Sequence, residues 1–164
     1  MKISFSNIKY IISEVDGIVT EHLVGMGEFN SVLFKQYYMK DFEAINRIKK
    51  HFGFVFISAD AAISTYFLKK KHIPFYYAER SKKTVYINLL RRFNVTPDNV
   101  LFVGSSYSDI ECMKMSKISV CPEDAVPQVK NICDHVVPVY GGNGVLVYVY
   151  EMIYEYLLYK GRGE

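Results

Sequence analysis

The chain has 164 residues, 50% of them hydrophobic and 23% charged, with a formal net charge of +3. That is the length of one domain, with enough apolar material for a substantial core, and no apolar run approaches the roughly 18 residues a membrane span needs. The opening MKISFSNIKY lacks the apolar core and small-residue cleavage site of an export signal, and the basic residues fall in short pieces at 49–50, 69–71, 82–83 and 91–92 that read as solvated helix faces. The chain therefore reads as cytoplasmic, with no membrane anchor and without the dense basic stripe that nucleic-acid binding demands.

In chain order, the apolar run at 8–15 predicts a buried strand that ends in Glu14-Val15-Asp16-Gly17. Carboxylates at i and i+2 leave a strand on the same face. Residues 20–37 carry two β-rich arms around Gly25, Gly27 and Asn30, which predicts an inserted β-hairpin. A helix over 40–51 leads to a strand over 54–58, ending Ser58-Ala59-Asp60. Next come a helix over 61–71, a strand over 73–77 and a helix over 82–93, with Ser81 as its N-cap and Pro97 beyond its end. The strand over 100–103 runs into GSSYSD, Gly104 to Asp109, which opens a helix over 106–115. A strand over 117–121, a short helix near 124–130, a strand over 135–138, GGNG at 141–144 and a long helix over about 144–159 complete the chain.

Strands alternating with helices of about a dozen residues predict right-handed crossovers and a parallel sheet. FVFI (54–57) and VLFV (100–103) are nearly all β-branched or aromatic, as strands covered on both faces should be. The expectation is an α/β fold: a three-layer, Rossmann-like sheet in a single domain over 1–164, with the hairpin as an insertion and no large cap domain. Cys112, Cys121 and Cys133 are odd in number and lack CxxC spacing, so they read as reduced thiols. His22, His51, His72 and His135 show no metal-ligand spacing.

Four polar groups fall at the carboxyl ends of predicted strands, where open α/β sheets keep their chemistry. They are Glu14 with Asp16, Ser58, Lys82 at the start of its helix, and Asp109 closing GSSYSD. Singly, each has a plain structural account as a turn, a cap or a surface lysine. Their order is more informative. EVDGIVTEH, Met26-Gly27 in the hairpin, FKQYYMKD (34–41), FISAD (56–60), Lys82 ahead of VLFVGSSYSD, and GGNG together resemble the haloacid dehalogenase superfamily. Within it the chain is most similar to the cap-less phosphatases of 3-deoxy-octulosonate 8-phosphate (KDO 8-phosphate), and it also resembles the carboxy-terminal domain of acylneuraminate cytidylyltransferases. The likeness runs from about Ile8 to Val147.

The resemblance implies a phosphoryl-transfer site with catalytic positions Glu14, Asp16, Ser58 and Lys82. Glu14 would stand at the nucleophile position, Asp16 as general acid and base, and Ser58 and Lys82 on the phosphoryl oxygens. Mg²⁺ would be held by Glu14, Asp16 and Asp109. Four departures cut across that pattern. The nucleophile position carries Glu where the family has Asp, and the extra methylene moves the carboxylate by about 1.5 Å; misplacement on the order of 1 Å can cost ~10²-fold. Ser105 and Ser106 stand where the sugar-acid phosphatases have carboxylates, and a neutral hydroxyl is a poor ligand for Mg²⁺. Asp60 has the wrong charge for an acidic sugar. The tail GGNGVLVY has Asn143 and Val147 in place of arginines. The expectation is a degenerate phosphatase with weakened Mg²⁺ binding and a retained assembly or binding role. The alternative is an active Mg²⁺-dependent phosphomonoesterase acting on a sugar phosphate such as KDO 8-phosphate or a nonulosonate 9-phosphate.

The family is tetrameric through its hairpins and tails, so the resemblance also implies a homotetramer built on 20–37 and 141–164. The last helix supports a partner surface on its own terms. It carries five tyrosines, and Val145, Val149, Met152 and Tyr156 recur at helical spacing with Tyr150, Ile153 and Leu157 widening the apolar face.

Overall fold

In the computed structural model the described residues are 4–21, 23–28, 32–59 and 62–161, the side chains of 62–65 excepted. The strand that delivers the acid pair, β1 (Tyr10–Ser13), runs parallel between β4 (Gly53–Ser58) and β6 (Val100–Val103). The parallel sheet continues through β5 (Phe75–Tyr77) on one side and through β7 (Ile118–Pro122) and β8 (His135–Val137) on the other, in the order β5-β4-β1-β6-β7-β8. The expected two-faced burial is present: Ile11, Phe56, Leu101 and Val103 enter one core, and their neighbours Ile12, Ile57 and Phe102 enter another. Period-two alternation thus feeds two apolar layers from each central strand.

The first layer is closed by α1 (Met39–Ile48), α2 (Ala62–Lys70) and α6 (Val145–Lys160), with Phe42, Ile45, Ile48, Leu68, Val145, Val149 and Ile153 buried. The second is closed by α3 (Lys82–Phe93), α4 (Ile110–Met115) and α5 (Pro127–Lys130), through Tyr86, Leu89, Leu90, Met113 and Val129. The predicted N-cap of α3 is in place, with Ser81 Oγ accepting the Thr84 N–H at 3.2 Å; at the other end Asn94, which the sequence reading did not single out, closes the helix in the left-handed region at φ 51°.

Two expected helices are shorter than periodicity suggested. The helix expected over 106–115 begins as a 3-10 turn (Tyr107–Asp109), because Asp109 turns back onto the N–H groups of Ser105 and Ser106. The one expected near 124–130 starts only at Pro127, a residue suited to the first helical position. The hairpin is present as β2 (Gly25–Met26) and β3 (Val32–Phe34), antiparallel with a register shift at Gly25/Met26. Its base is tied to the turn after β1 by a bridge between Thr20 and Tyr37 and by the Tyr38 N–H donating to the Val19 carbonyl at 3.1 Å. His22, Asn30 and Asp60 lie outside the described residues.

Candidate active site

The predicted positions converge. Glu14, Asp16, Ser58, Ala59, Lys82, Ser106 and Ser108 line one open pocket at the carboxyl ends of β1, β4 and β6. Glu14 follows β1 directly, with its N–H donating to the Val103 carbonyl of β6 at 2.9 Å. Asp16 is two residues on, past a fully buried Val15. Ser58 is the last residue of β4 and is buried.

Lys82 is the first residue of α3 and differs from the basic pairs read as solvated faces. Its side chain is 3% exposed, whereas the next residue, Lys83, is exposed and pairs with Glu111 at 3.0 Å. Lys82 Nζ donates to Asp109 Oδ1 at 2.7 Å and also pairs with Glu14 Oε2. One ammonium thus lies between two buried carboxylates.

Asp109 is fixed from its other oxygen. Oδ2 accepts the Ser105 N–H at 3.0 Å, the Ser106 N–H at 2.9 Å and the Ser106 hydroxyl at 2.9 Å. Gly104 makes this possible: a Cβ there would come within 2.6 Å of Asp109 Cβ. Glu14 is held more simply, with Oε1 accepting the N–H of Val15 at 2.8 Å.

Asp16 is the more open member of the acid pair, its side chain 23% exposed. It accepts the Thr20 hydroxyl at 3.0 Å, and both of its oxygens accept from Lys35 Nζ, at 2.8 and 2.9 Å. Neither partner carried a role in the sequence reading. The signal for Lys35 was its place at the end of a hairpin arm expected to return over the strand ends.

Asp41, in FKQYYMKD, was also passed over. It is fully buried on α1, and its Oδ1 accepts the N–H groups of Leu146 and Val147 at 2.8 and 3.0 Å, capping α6 across 105 residues of sequence. Burial pushes its carboxyl up to about 7 from an ordinary 3.8. The glycine-rich segment packs beside it: Gly142 N–H donates to the Ile18 carbonyl at 2.9 Å, and a Cβ on Gly141 would meet the Gly17 carbonyl oxygen at 2.4 Å.

The donor set does not suit Mg²⁺. Glu14 Oε2 is engaged by Lys82, Asp109 accepts from Lys82 on Oδ1 and from three donors of its own turn on Oδ2, and Ser105 supplies only a hydroxyl, 3.4 Å from the Asp16 carbonyl oxygen. Among the described residues no group of three or more His, Cys, Asp or Glu is placed to hold a metal ion. A small, strongly hydrated dication needs hard anionic oxygens in octahedral array, and the arrangement offers an ammonium instead.

The acid pair after β1, Ser58 at the end of β4, Lys82 at the start of α3 and Asp109 in the turn after β6 lie together in the order expected of a haloacid dehalogenase-type site. Residues 5–149 match the haloacid dehalogenase-like hydrolase family, and the chain belongs to it. Among curated relatives, the KDO 8-phosphate phosphatase of Haemophilus influenzae is 24% identical, over 93% of this chain and 86% of its own. The cobalt-bound form of the phosphatase from Haemophilus influenzae superposes with a TM-score of 0.85 at 24% identity, covering 93% of this chain and 90% of that one. The Moraxella catarrhalis phosphatase, solved with magnesium, phosphate and KDO, gives a TM-score of 0.85 at 17% identity, covering 93% and 88%.

Proposed function

We propose that this chain is a KDO 8-phosphate phosphatase-like protein of the cytoplasm whose metal-dependent phosphatase chemistry is lost or greatly weakened, and which retains a binding and assembly role. The observation that carries this reading is the Glu14–Lys82–Asp109 arrangement, in which the carboxylates expected to draw in Mg²⁺ are spent on an internal cation. Purified protein assayed with Mg²⁺ against sugar phosphates including KDO 8-phosphate is expected to turn over far below ordinary enzyme rates of roughly 1–10³ s⁻¹. Turnover within that range, abolished by Glu14→Ala, would overturn the reading.

The retained role is assembly as a homotetramer through the hairpin and the carboxy-terminal segment. Supporting it, the hairpin presents Leu23 at 77%, Leu33 at 63% and Phe34 at 54% exposure on one short insertion, an apolar surface of the kind that marks an interface. Light scattering on the eluted protein is expected to give four times the chain mass, and Leu33→Asp with Phe34→Asp a smaller species.

The active-phosphatase reading retains one observation in its favour: Asp16, Ser58 and Lys82 line the same pocket. A sugar phosphate is the ligand that pocket suits, given what the relatives act on.

A further inference from the structure

Within the proposed reading, the Lys82 ammonium is the pocket's own cation and the group an incoming oxyanion would seek. Its side chain and the two carboxylates on it are nearly sealed from solvent: Lys82 is 3% exposed, Glu14 4% and Asp109 0%. The trio carries a net charge of −1, so the cation offers no surplus to a ligand until one carboxylate leaves.

The two carboxylates are not equally able to leave. Asp109 is clamped by three donors on Oδ2 from its own turn, which fits against the chain only because position 104 is glycine. Among the described residues Glu14 accepts one hydrogen bond besides its pair with Lys82, from the adjacent Val15 N–H, and it has one more side-chain torsion than an aspartate. It also lines the open pocket together with Ser58, Ser106 and Ser108.

We propose that Glu14 is a built-in occupant of the oxyanion subsite: its carboxylate holds the place on Lys82 that a phosphate or phosphate-monoester oxygen takes, and such a ligand binds without a divalent metal by displacing it. Glu14 then sets affinity for the phosphoryl group as an internal competitor. On this account the extra methylene at position 14 is what lets the carboxylate rest on Lys82. No bond is made or broken: one oxyanion exchanges for another on the same ammonium, and the displaced carboxylate turns to the solvent of the open pocket.

The test is phosphate binding in the presence of EDTA, by calorimetry, with inorganic phosphate as the probe. Glu14→Gln, which keeps the side chain's length and removes its charge, is expected to bind phosphate at least about tenfold more tightly than wild type. Adding Lys82→Met to it is expected to abolish that binding. Equal or weaker binding by a folded Glu14→Gln protein overturns the proposal, as does binding that survives Lys82→Met. Should Glu14→Gln not fold, Glu14→Ala serves in its place. The wild-type chain gives an independent measurement: with ¹³C-labelled glutamate, saturating phosphate is expected to move the side-chain carboxyl signal of one buried glutamate. Saturation that leaves every glutamate signal in place also overturns the proposal. Metal-free binding is read separately from turnover with Mg²⁺, so the internal-competitor role and the loss of phosphatase activity succeed or fail independently.

Discussion

Lys35 Nζ lies 2.8 and 2.9 Å from the two carboxylate oxygens of Asp16, nineteen residues earlier in the chain. The lysine comes from the end of the hairpin and the aspartate from the turn after β1, so this contact joins the insertion to the strand-end pocket that Asp16 lines. Its head is desolvated, the side chain being 1% exposed, while Asp16 keeps partial access to water.

Removing either partner leaves a poorly solvated charge, which costs more than the pair itself contributes. Lys35→Met is expected to destabilise the fold by about 2 kcal/mol and to raise hydrogen exchange at residues 32–38 ahead of the rest of the chain. A double-mutant cycle with Asp16→Asn, read by urea unfolding, should return a coupling of roughly 1–3 kcal/mol. A coupling near zero would mean that the hairpin is held by other contacts, among them the Thr20–Tyr37 bridge and the Tyr38 N–H bond to the Val19 carbonyl.

The layered fold was legible in the sequence because its central strands are covered on both faces. VLFV and FVFI announce themselves by composition, and Ser81 and Pro97 bracket α3 by local chemistry alone. The site was legible as a set of positions, since each strand end is fixed by the strand before it. The partners were not. Lys35 meets Asp16 through the docking of a hairpin, and Asp41 meets α6 across the whole chain; neither contact leaves a periodic trace. Nor does the sequence say that the Glu14 carboxylate turns to Lys82, because that direction depends on an ammonium supplied by α3.

Asp41 predicts a pH dependence whose sign follows from its raised carboxyl. Folded, it holds its proton up to about 7; unfolded, it loses it at an ordinary 3.8. Between those values the folded state binds the extra proton, so the stability from this group is fully present below the lower value and is lost as pH rises through the higher. The urea midpoint of the wild-type protein is expected to fall between pH 5 and pH 8. Asp41→Asn keeps an acceptor for the Leu146 and Val147 N–H groups but cannot titrate, so its midpoint should show a smaller fall over the same interval. Parallel curves would remove Asp41 as the source.

Cys121 and Cys133 do not form a CxxC, yet the fold brings their sulfurs to 2.9 Å. One is buried on β7, and the other is half-buried just before the neighbouring parallel strand β8. The contact between the two thiols pushes Cys121 up, with burial adding to it, and draws the Cys133 thiol below its usual range. Hydrogen peroxide is expected to oxidise Cys133 to the sulfenic acid, which the Cys121 thiol resolves to a disulfide with loss of water. Cys112 is buried, with its thiol pushed up to about 12, and should stay reduced. Mass spectrometry should show the loss of two hydrogens in wild type but not in Cys121→Ser. The cross-link should raise stability by about 2–3 kcal/mol.

The mismatch with Mg²⁺ predicts its own reversal. Glu14→Asp shortens the arm that reaches Lys82 by one methylene, and Ser105→Asp places a second carboxylate next to the Asp16 carbonyl, from which the serine hydroxyl is now 3.4 Å away. Ser106→Asp adds a third at the pocket wall. Together they would supply the hard anionic oxygens that the present residues lack. The triple variant is expected to gain Mg²⁺ binding by calorimetry and a Mg²⁺-dependent rise in melting temperature. Its turnover of a phosphate monoester should rise by about 10²-fold or more, the scale on which a positioned reaction responds to an ångström of displacement. Ser105→Asp alone should gain little, because the Glu14 carboxylate would still rest on the ammonium. A folded triple variant that binds no Mg²⁺ would show that the obstacle is the seating of Lys82 and Asp109 themselves, not the residues that replaced the acids.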